Sequence, residues 1–285
     1  GIAMLIPPSI ILILYGIVTE TSIVALFFAG VVPGLLLALG NIISVVVIAW
    51  ILKLPRGEFK PRRLWSEFLR AAPALGMPVV ILGGLYGGVF TPTEAAAAAC
   101  GYALIYGFVM ERARFFAGLV PTAKRALNLT AVVLFLVGSV GVFQFLAANM
   151  YWPQQITKAV TAWGLTPLTF IFAFMLVLLI LGMFVDGIAM VLLTVPVVFP
   201  VASALGVDPI HLGIMLTLAV EMSVVTPPVG LNLFAVSGTS RIPVTQVLKG
   251  SVPFFLGDFI VLMLVIFFPI LATWLPGQLV TTVFK

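Results

Sequence analysis

Charge is what this chain has least of. Of its 285 residues, 8% are Asp, Glu, Lys or Arg and 62% are hydrophobic, whereas ordinary soluble domains carry about 25% charged residues. A water-soluble fold of this length could not cover its surface with so few charges, so lipid must solvate much of the exterior. Histidine is nearly absent too. His211 stands alone and the carboxylates are dispersed, which argues against the paired acids, metal clusters and nucleophile–base pairs of a membrane-embedded enzyme. The lone cysteine, Cys100, sits in the alanine-rich run Ala95–Gly101 and excludes a disulfide framework or a multi-cysteine metal site. The net charge of +5 is small and scattered, which points to cytoplasmic loops beside anionic lipid and not to nucleic acid. No signal peptide opens the chain. It begins inside apolar sequence at Gly1-Ile2-Ala3-Met4, which reads as a start within a helix.

Long apolar stretches are present in abundance, but glycine and proline interrupt many of them. Several are too short to span a bilayer alone, for example Ile10–Gly16 and Gly230–Val236. Broken helices and re-entrant hairpins fit this pattern better than a simple bundle, because irregular backbone is tolerated at membrane depth where it lines an enclosed cavity. Two basic groups, Arg56, Lys60, Arg62, Arg63 and Arg70, then Arg112, Arg114, Lys124 and Arg125, belong on the cytoplasmic side. Leu64, Trp65, Phe68, Leu69 and Ala72 recur at helical spacing opposite Arg62, Arg63, Ser66 and Arg70. Residues 53–72 therefore read as an amphipathic arm lying along the membrane surface, with a solvated loop as the alternative.

An internal repeat is the most informative pattern. Ile6-Pro7-Pro8-Ser9 matches Thr226-Pro227-Pro228-Val229 at an offset of 220, and Gly30 and Pro33 meet Gly250 and Pro253 at the same offset. Repeated helical units are how many carriers build two related halves around one site. The counterpart of the Asp186 region would precede Gly1, so the first repeat reads as lacking its N-terminal part. Residues 1–52 then form its end, 53–72 the arm, and 73–285 the second repeat, with a hairpin near 170–205 and an unwound helix near 210–238.

Each Pro-Pro pair breaks a helix, because proline lacks an N–H and clashes with the carbonyl four residues back. Pro227 and Pro228 would free the carbonyls of Ser223 and Val224; Pro7 and Pro8 would free those of Ala3 and Met4. Small hard cations favour such oxygens, and the Thr226 hydroxyl adds another. A kink repaired by neighbouring side chains is the plainer reading. Asp186 interrupts apolar sequence beside Gly182 and Gly187, which suggests a hairpin tip. An intramembrane carboxylate is a candidate site residue, and Asp186 also suits the N-cap of the following helix. Thr91-Pro92-Thr93-Glu94 reads as a capping box, and Gly83, Gly84, Gly87 and Gly88 as close helix packing. His211 reads as a structural residue after the Asp208-Pro209 cap. Glu221 lies one turn before the break and could assist a cation or proton, Asp258 could pair with a basic residue, and Asn232 could offer its amide to a ligand.

Taken together, Leu5-Ile6-Pro7-Pro8-Ser9, Leu26–Gly34, Gly83–Ala95, Gly182–Gly187, Asp208–Gly213 and Thr226–Phe234 resemble the large membrane (M, DctM-like) subunit of the tripartite ATP-independent periplasmic (TRAP) transporters. The match rests on their order and spread over the whole chain. The resemblance implies an all-α integral membrane fold of the bacterial inner membrane, with inverted repeats, elevator-type motion and sodium as the coupling ion. It implies an organic-acid substrate such as a C4-dicarboxylate or sialic acid, a periplasmic binding protein that delivers it, and a small four-helix membrane subunit. Carried onto this sequence, one sodium site falls on Gly182, Ser223 and Thr226, and the remaining half of the other on Ala3, Ile6 and Pro7. Ser9, Asp186 and Asn232 are the candidate substrate residues. The family usually has glycine where this chain has Ala3 and Ser223. The competing readings are a sodium-coupled dicarboxylate carrier working without a binding protein and, further away, a channel.

Overall fold

A computed structural model describes residues 4–54, 61–227 and 230–283. Twelve α-helices account for most of them, and no strand occurs among the described residues. Among the described residues, six helices are long and apolar enough to cross a membrane: α2 (Ile23–Ile51), α3 (Pro61–Tyr86), Pro92–Met110 of α4 (Pro92–Glu111), Phe115–Asn149 of α5 (Ala113–Asn149), α8 (Gly187–Ala204) and α11 (Val244–Phe267). The shorter helices are α1 (Ile10–Thr19), α6 (Trp152–Ala162), α7 (Pro167–Gly182), α9 (Pro209–Ser223), α10 (Leu231–Ser240) and α12 (Ile270–Val283).

The chain divides into two compact units. One comprises Gly1–Ile48 and Phe135–Val280, the other Ala49–Leu134 with Thr281–Lys285.

In the first unit α9 is the centre. Its residues from His211 to Ser223 are all buried, as expected of a helix that is apolar all round. Helices α1, α7, α8 and α11 pack against it. Two polar contacts fix its start. The Tyr15 hydroxyl donates to the Pro209 carbonyl at 2.6 Å, and the His211 ring Nε2 donates to the Val265 carbonyl at 2.7 Å. Both rings thus satisfy carbonyls that lipid could not, and His211 has the structural role its sequence context suggests. Asp208 caps the helix, accepting from the His211 N–H at 2.9 Å.

Helices α7 and α8 form a hairpin with its tip at residues 183–186, while α9 ends at Ser223 and α10 starts at Leu231. Helices α1 and α10 are alike in length and in how they end. Helix α1 has ten residues, ends on a left-handed residue at Glu20 and is followed by α2 from Ile23. Helix α10 also has ten, ends on a left-handed Arg241 and is followed by α11 from Val244.

In the second unit α3 and α4 pack together. Residues 61–72 are the opening of α3, which continues without interruption to Tyr86; residues 55–60, with Arg56 and Lys60, lie outside the described residues. The capping box at the start of α4 is complete: the Thr91 hydroxyl accepts from the Glu94 N–H, and the Glu94 carboxylate accepts from the Thr91 N–H at 2.8 Å. The neighbouring glycines depart from the expected packing seam. A Cβ on Gly84 would lie 2.1 Å from the Phe90 ring of its own turn, Gly88 has φ +67°, and Gly83 faces open space. They close the turn between α3 and α4 instead, because the chain must fold back within a few residues.

Candidate functional site

Two interrupted segments and one hairpin tip meet in the first unit. A pocket of about 290 Å³ is lined by Met4, Pro8, Ser9, Ile10 and Ile11, by Asp186, Gly187 and Ile188, and by Val224 and Asn232. Ser9, Asp186 and Asn232, which are 177 and 46 residues apart along the chain, thus share one wall system. Most of the remaining lining is apolar, and none of these residues is basic.

The first turns of three helices open on this pocket. Ser9 is the N-cap of α1, its hydroxyl accepting from the Leu12 N–H at 3.4 Å and donating to the Met4 carbonyl. Asp186 is the N-cap of α8, one carboxylate oxygen accepting from the Ile188 N–H at 3.0 Å. Gly230, at φ +54°, stands at the N-cap of α10 without a side-chain cap, and Asn232 lies in its first turn. Each helix start carries a partial positive charge and N–H groups without intrahelical partners. Three helix starts thus face one pocket whose lining holds the Asp186 carboxylate and no Lys or Arg. Asp186 remains exposed to the pocket, so it serves as cap and as pocket wall together.

Beneath the pocket the hairpin tip meets the second break. Gly182 lies flush against Ser223: a Cβ there would come within 1.9 Å of Ser223 Oγ. Gly187 is as tightly placed against α9, with Val220 at 2.8 Å from a built Cβ. Ser223 is fully buried, and Thr226 follows at the end of the same turn. At the first break Pro7 is buried, and Ile6 lies against Gly34 of α2, where a Cβ would be 2.6 Å from its side chain. Ala3 lies outside the described residues.

The carbonyls differ from the proline argument. Ser223 O accepts from the Thr226 N–H at 3.0 Å, Val224 O from the Asn232 N–H at 3.2 Å, and Met4 O from the Ser9 hydroxyl. Losing the α-helical donor therefore does not leave these oxygens bare. The last turn tightens, and the returning chain supplies an N–H. Each carbonyl still has a second lone pair for a cation. The hydroxyls are similarly engaged as donors, Ser223 to Val220 O and Thr226 to Met222 O, both at 2.7 Å, with their own lone pairs left over.

Two acids lie outside the pocket lining. Glu221 on α9 is buried, and Asp258 lies on α11, which packs against α9. The Oδ1 of Asp258 is buried with no hydrogen-bond partner among the described residues.

Sequence reasoning missed the apolar lining and the convergence of helix starts. The signal was available at Ser9, which follows a Pro-Pro pair and precedes an apolar run, as an N-cap does.

The family model described as "Tripartite ATP-independent periplasmic transporter, DctM component" matches residues 1–271. The chain belongs to this family. Among its relatives, a C4-dicarboxylate TRAP transporter large permease protein, DctM, of Vibrio cholerae is 37% identical over 302 residues, covering 98% of this chain and 66% of that one. A sialic acid TRAP transporter large permease protein, SiaM, of the same organism is 38% identical, covering 96% and 64%. An ectoine/5-hydroxyectoine TRAP transporter large permease protein, UehC, of Ruegeria pomeroyi is 39% identical, covering 96% and 64%. The chain thus spans just under two thirds of the length of these curated relatives. With its long apolar helices, this TRAP large-permease chain is a multi-pass integral membrane protein of the bacterial inner membrane.

Proposed function

We propose that this chain carries the substrate site of a sodium-coupled secondary transporter for an organic acid, with no catalytic step. The carrying observation is the convergence of three helix starts, at Ser9, Asp186 and Gly230, on one pocket without a basic side chain. A carboxylate held by helix N–H groups is bound without a fixed counter-charge, so it can leave again once the site has moved. The hydrogen-bonding capacity of Asp186 and Asn232 is suited to hydroxyl or amine groups on the same substrate. Relatives named for C4-dicarboxylates, sialic acid and ectoine fit such a site, since each of these compounds carries a carboxylate.

Sodium belongs where Gly182 meets Ser223, with Thr226 three residues on, among carbonyl and hydroxyl oxygens. A monovalent hard cation needs oxygens of this kind and not a cluster of carboxylates. A second ion belongs at Ala3, Ile6 and Pro7. Two inverted repeats are supported by the matched ten-residue helices α1 and α10. Both helices end on a left-handed residue, Glu20 and Arg241. Elevator-type movement of this region against a scaffold, a small four-helix partner and a periplasmic binding protein complete the reading, as proposals from the family.

Uptake of labelled succinate, sialic acid or ectoine into proteoliposomes, with both partner subunits present, tests it. A sodium gradient should drive accumulation, and omitting the binding protein should abolish it. Equal uptake driven by a proton gradient in sodium-free buffer would overturn the coupling. Full uptake without the binding protein would favour a carrier that works alone.

A further inference from the structure

The opening of α3 has a surface that no neighbour in the structure uses. Every residue from Pro61 to Ala71 is exposed. Placed at about 100° per residue, Leu64, Trp65, Phe68, Leu69 and Ala72 fall within one half of the helix, and Arg62, Arg63, Ser66, Glu67 and Arg70 within the other. Leu64, Trp65, Phe68 and Leu69 are each more than half exposed, and the Trp65 and Phe68 rings stack with centroids 5.8 Å apart. The charged half holds three arginines against one glutamate. That glutamate, Glu67, is already paired with Arg70 at 3.3 Å in the open, a contact worth little by itself.

All of these charges precede Pro73; Ala74–Tyr86 has none. The amphipathic and the wholly apolar parts of α3 therefore meet at a proline, which removes a helix hydrogen bond and permits a bend. Helix α4 grips the chain just there. The Tyr102 hydroxyl donates to the Pro73 carbonyl, and Gly76 sits directly under the same hydroxyl. Residues 61–71 project beyond that grip.

We propose that Pro61–Ala72 lies in the headgroup layer of a membrane rich in anionic phospholipid, with Trp65 and Phe68 among the upper acyl chains and Arg62, Arg63 and Arg70 on lipid phosphates. Charge complementarity selects this occupant. A protein partner with an apolar groove would leave the arginine half unused, whereas an anionic bilayer surface engages both halves at once. This surface is independent of the substrate and of the coupling ion.

The test places a nitroxide at Leu64→Cys or at Ser66→Cys, with Cys100→Ser removing the exposed native thiol. Collision with oxygen, which partitions into lipid, is compared with collision with an aqueous nickel chelate. In phosphatidylcholine vesicles containing phosphatidylglycerol, position 64 should favour oxygen and position 66 the chelate. That contrast should shrink in pure phosphatidylcholine. It should also shrink when Arg62→Gln, Arg63→Gln and Arg70→Gln are combined, by about fivefold in bound population for each arginine (roughly 1 kcal/mol each). The wild-type arms in the two lipids carry the test if the triple variant fails to insert. Equal aqueous exposure of both positions, equal protection of both, or a contrast indifferent to phosphatidylglycerol overturns the proposal.

Discussion

Two helical hairpins of this protein begin from similar local chemistry and end differently. In α3–α4 the second helix starts at Thr91, and Glu94 folds back onto the Thr91 N–H and hydroxyl. In α7–α8 the second helix starts at Asp186, whose carboxylate takes the Ile188 N–H and still faces a pocket. The first tip satisfies itself. The second is joined by the starts of α1 and α10 and is underlain by Ser223 of α9. A cap becomes a candidate site when other chain segments bring further helix starts to it.

The sharpest way to break this comparison is to remove charge from each tip while keeping its cap. Asparagine caps a helix about as well as aspartate, so Asp186→Asn should fold normally yet lower uptake by roughly tenfold or more, the scale of one charge-assisted hydrogen bond. Glu94→Gln should leave uptake within about twofold, since a surface substitution outside such a site changes little. Equal losses in proteoliposome uptake would show that the tips do not differ in role.

Glycines at the two hairpins give the next largest contrast. A methyl group on Gly182 would collide with Ser223 Oγ, whereas one on Gly83 meets nothing within 4 Å. Gly182→Ala should cost about 1–3 kcal/mol through overpacking and weaken the sodium dependence of transport. Gly83→Ala should be neutral or stabilise by up to about 1 kcal/mol through helix propensity. Thermal unfolding in detergent, with and without sodium, separates them. Similar melting shifts would remove the distinction.

A smaller effect is expected from the threonines. Thr226→Ala should raise the sodium concentration for half-maximal uptake several-fold, about 1 kcal/mol for one oxygen ligand, while Thr93→Ala, exposed in the first turn of α4, should leave it unchanged. Matching sodium curves for the two variants would dismiss Thr226 as a ligand. The least effect belongs to Thr91→Ala. It should cost about 1 kcal/mol of stability from the lost cap without altering transport, and a transport defect in a normally stable variant would make the first tip functional after all.

Much of this was legible in the sequence because it is local. Low charge and long apolar runs dictated helices in lipid, since only closed backbone hydrogen bonding survives there. Pro227-Pro228 and Asp208-Pro209 marked where helices stop and start, because proline has no N–H to give. The Asp186 cap and the Thr91–Glu94 box followed from spacing alone. Tertiary structure decided the rest. Which carbonyls accept a hydrogen bond at the breaks depends on the path of the returning chain, as with Asn232 N–H reaching Val224 O. Ser9, Asp186 and Asn232 gather at one pocket because α9 draws α1, α7 and α8 onto its buried surface, and periodicity says which face of a helix is buried but not against which partner.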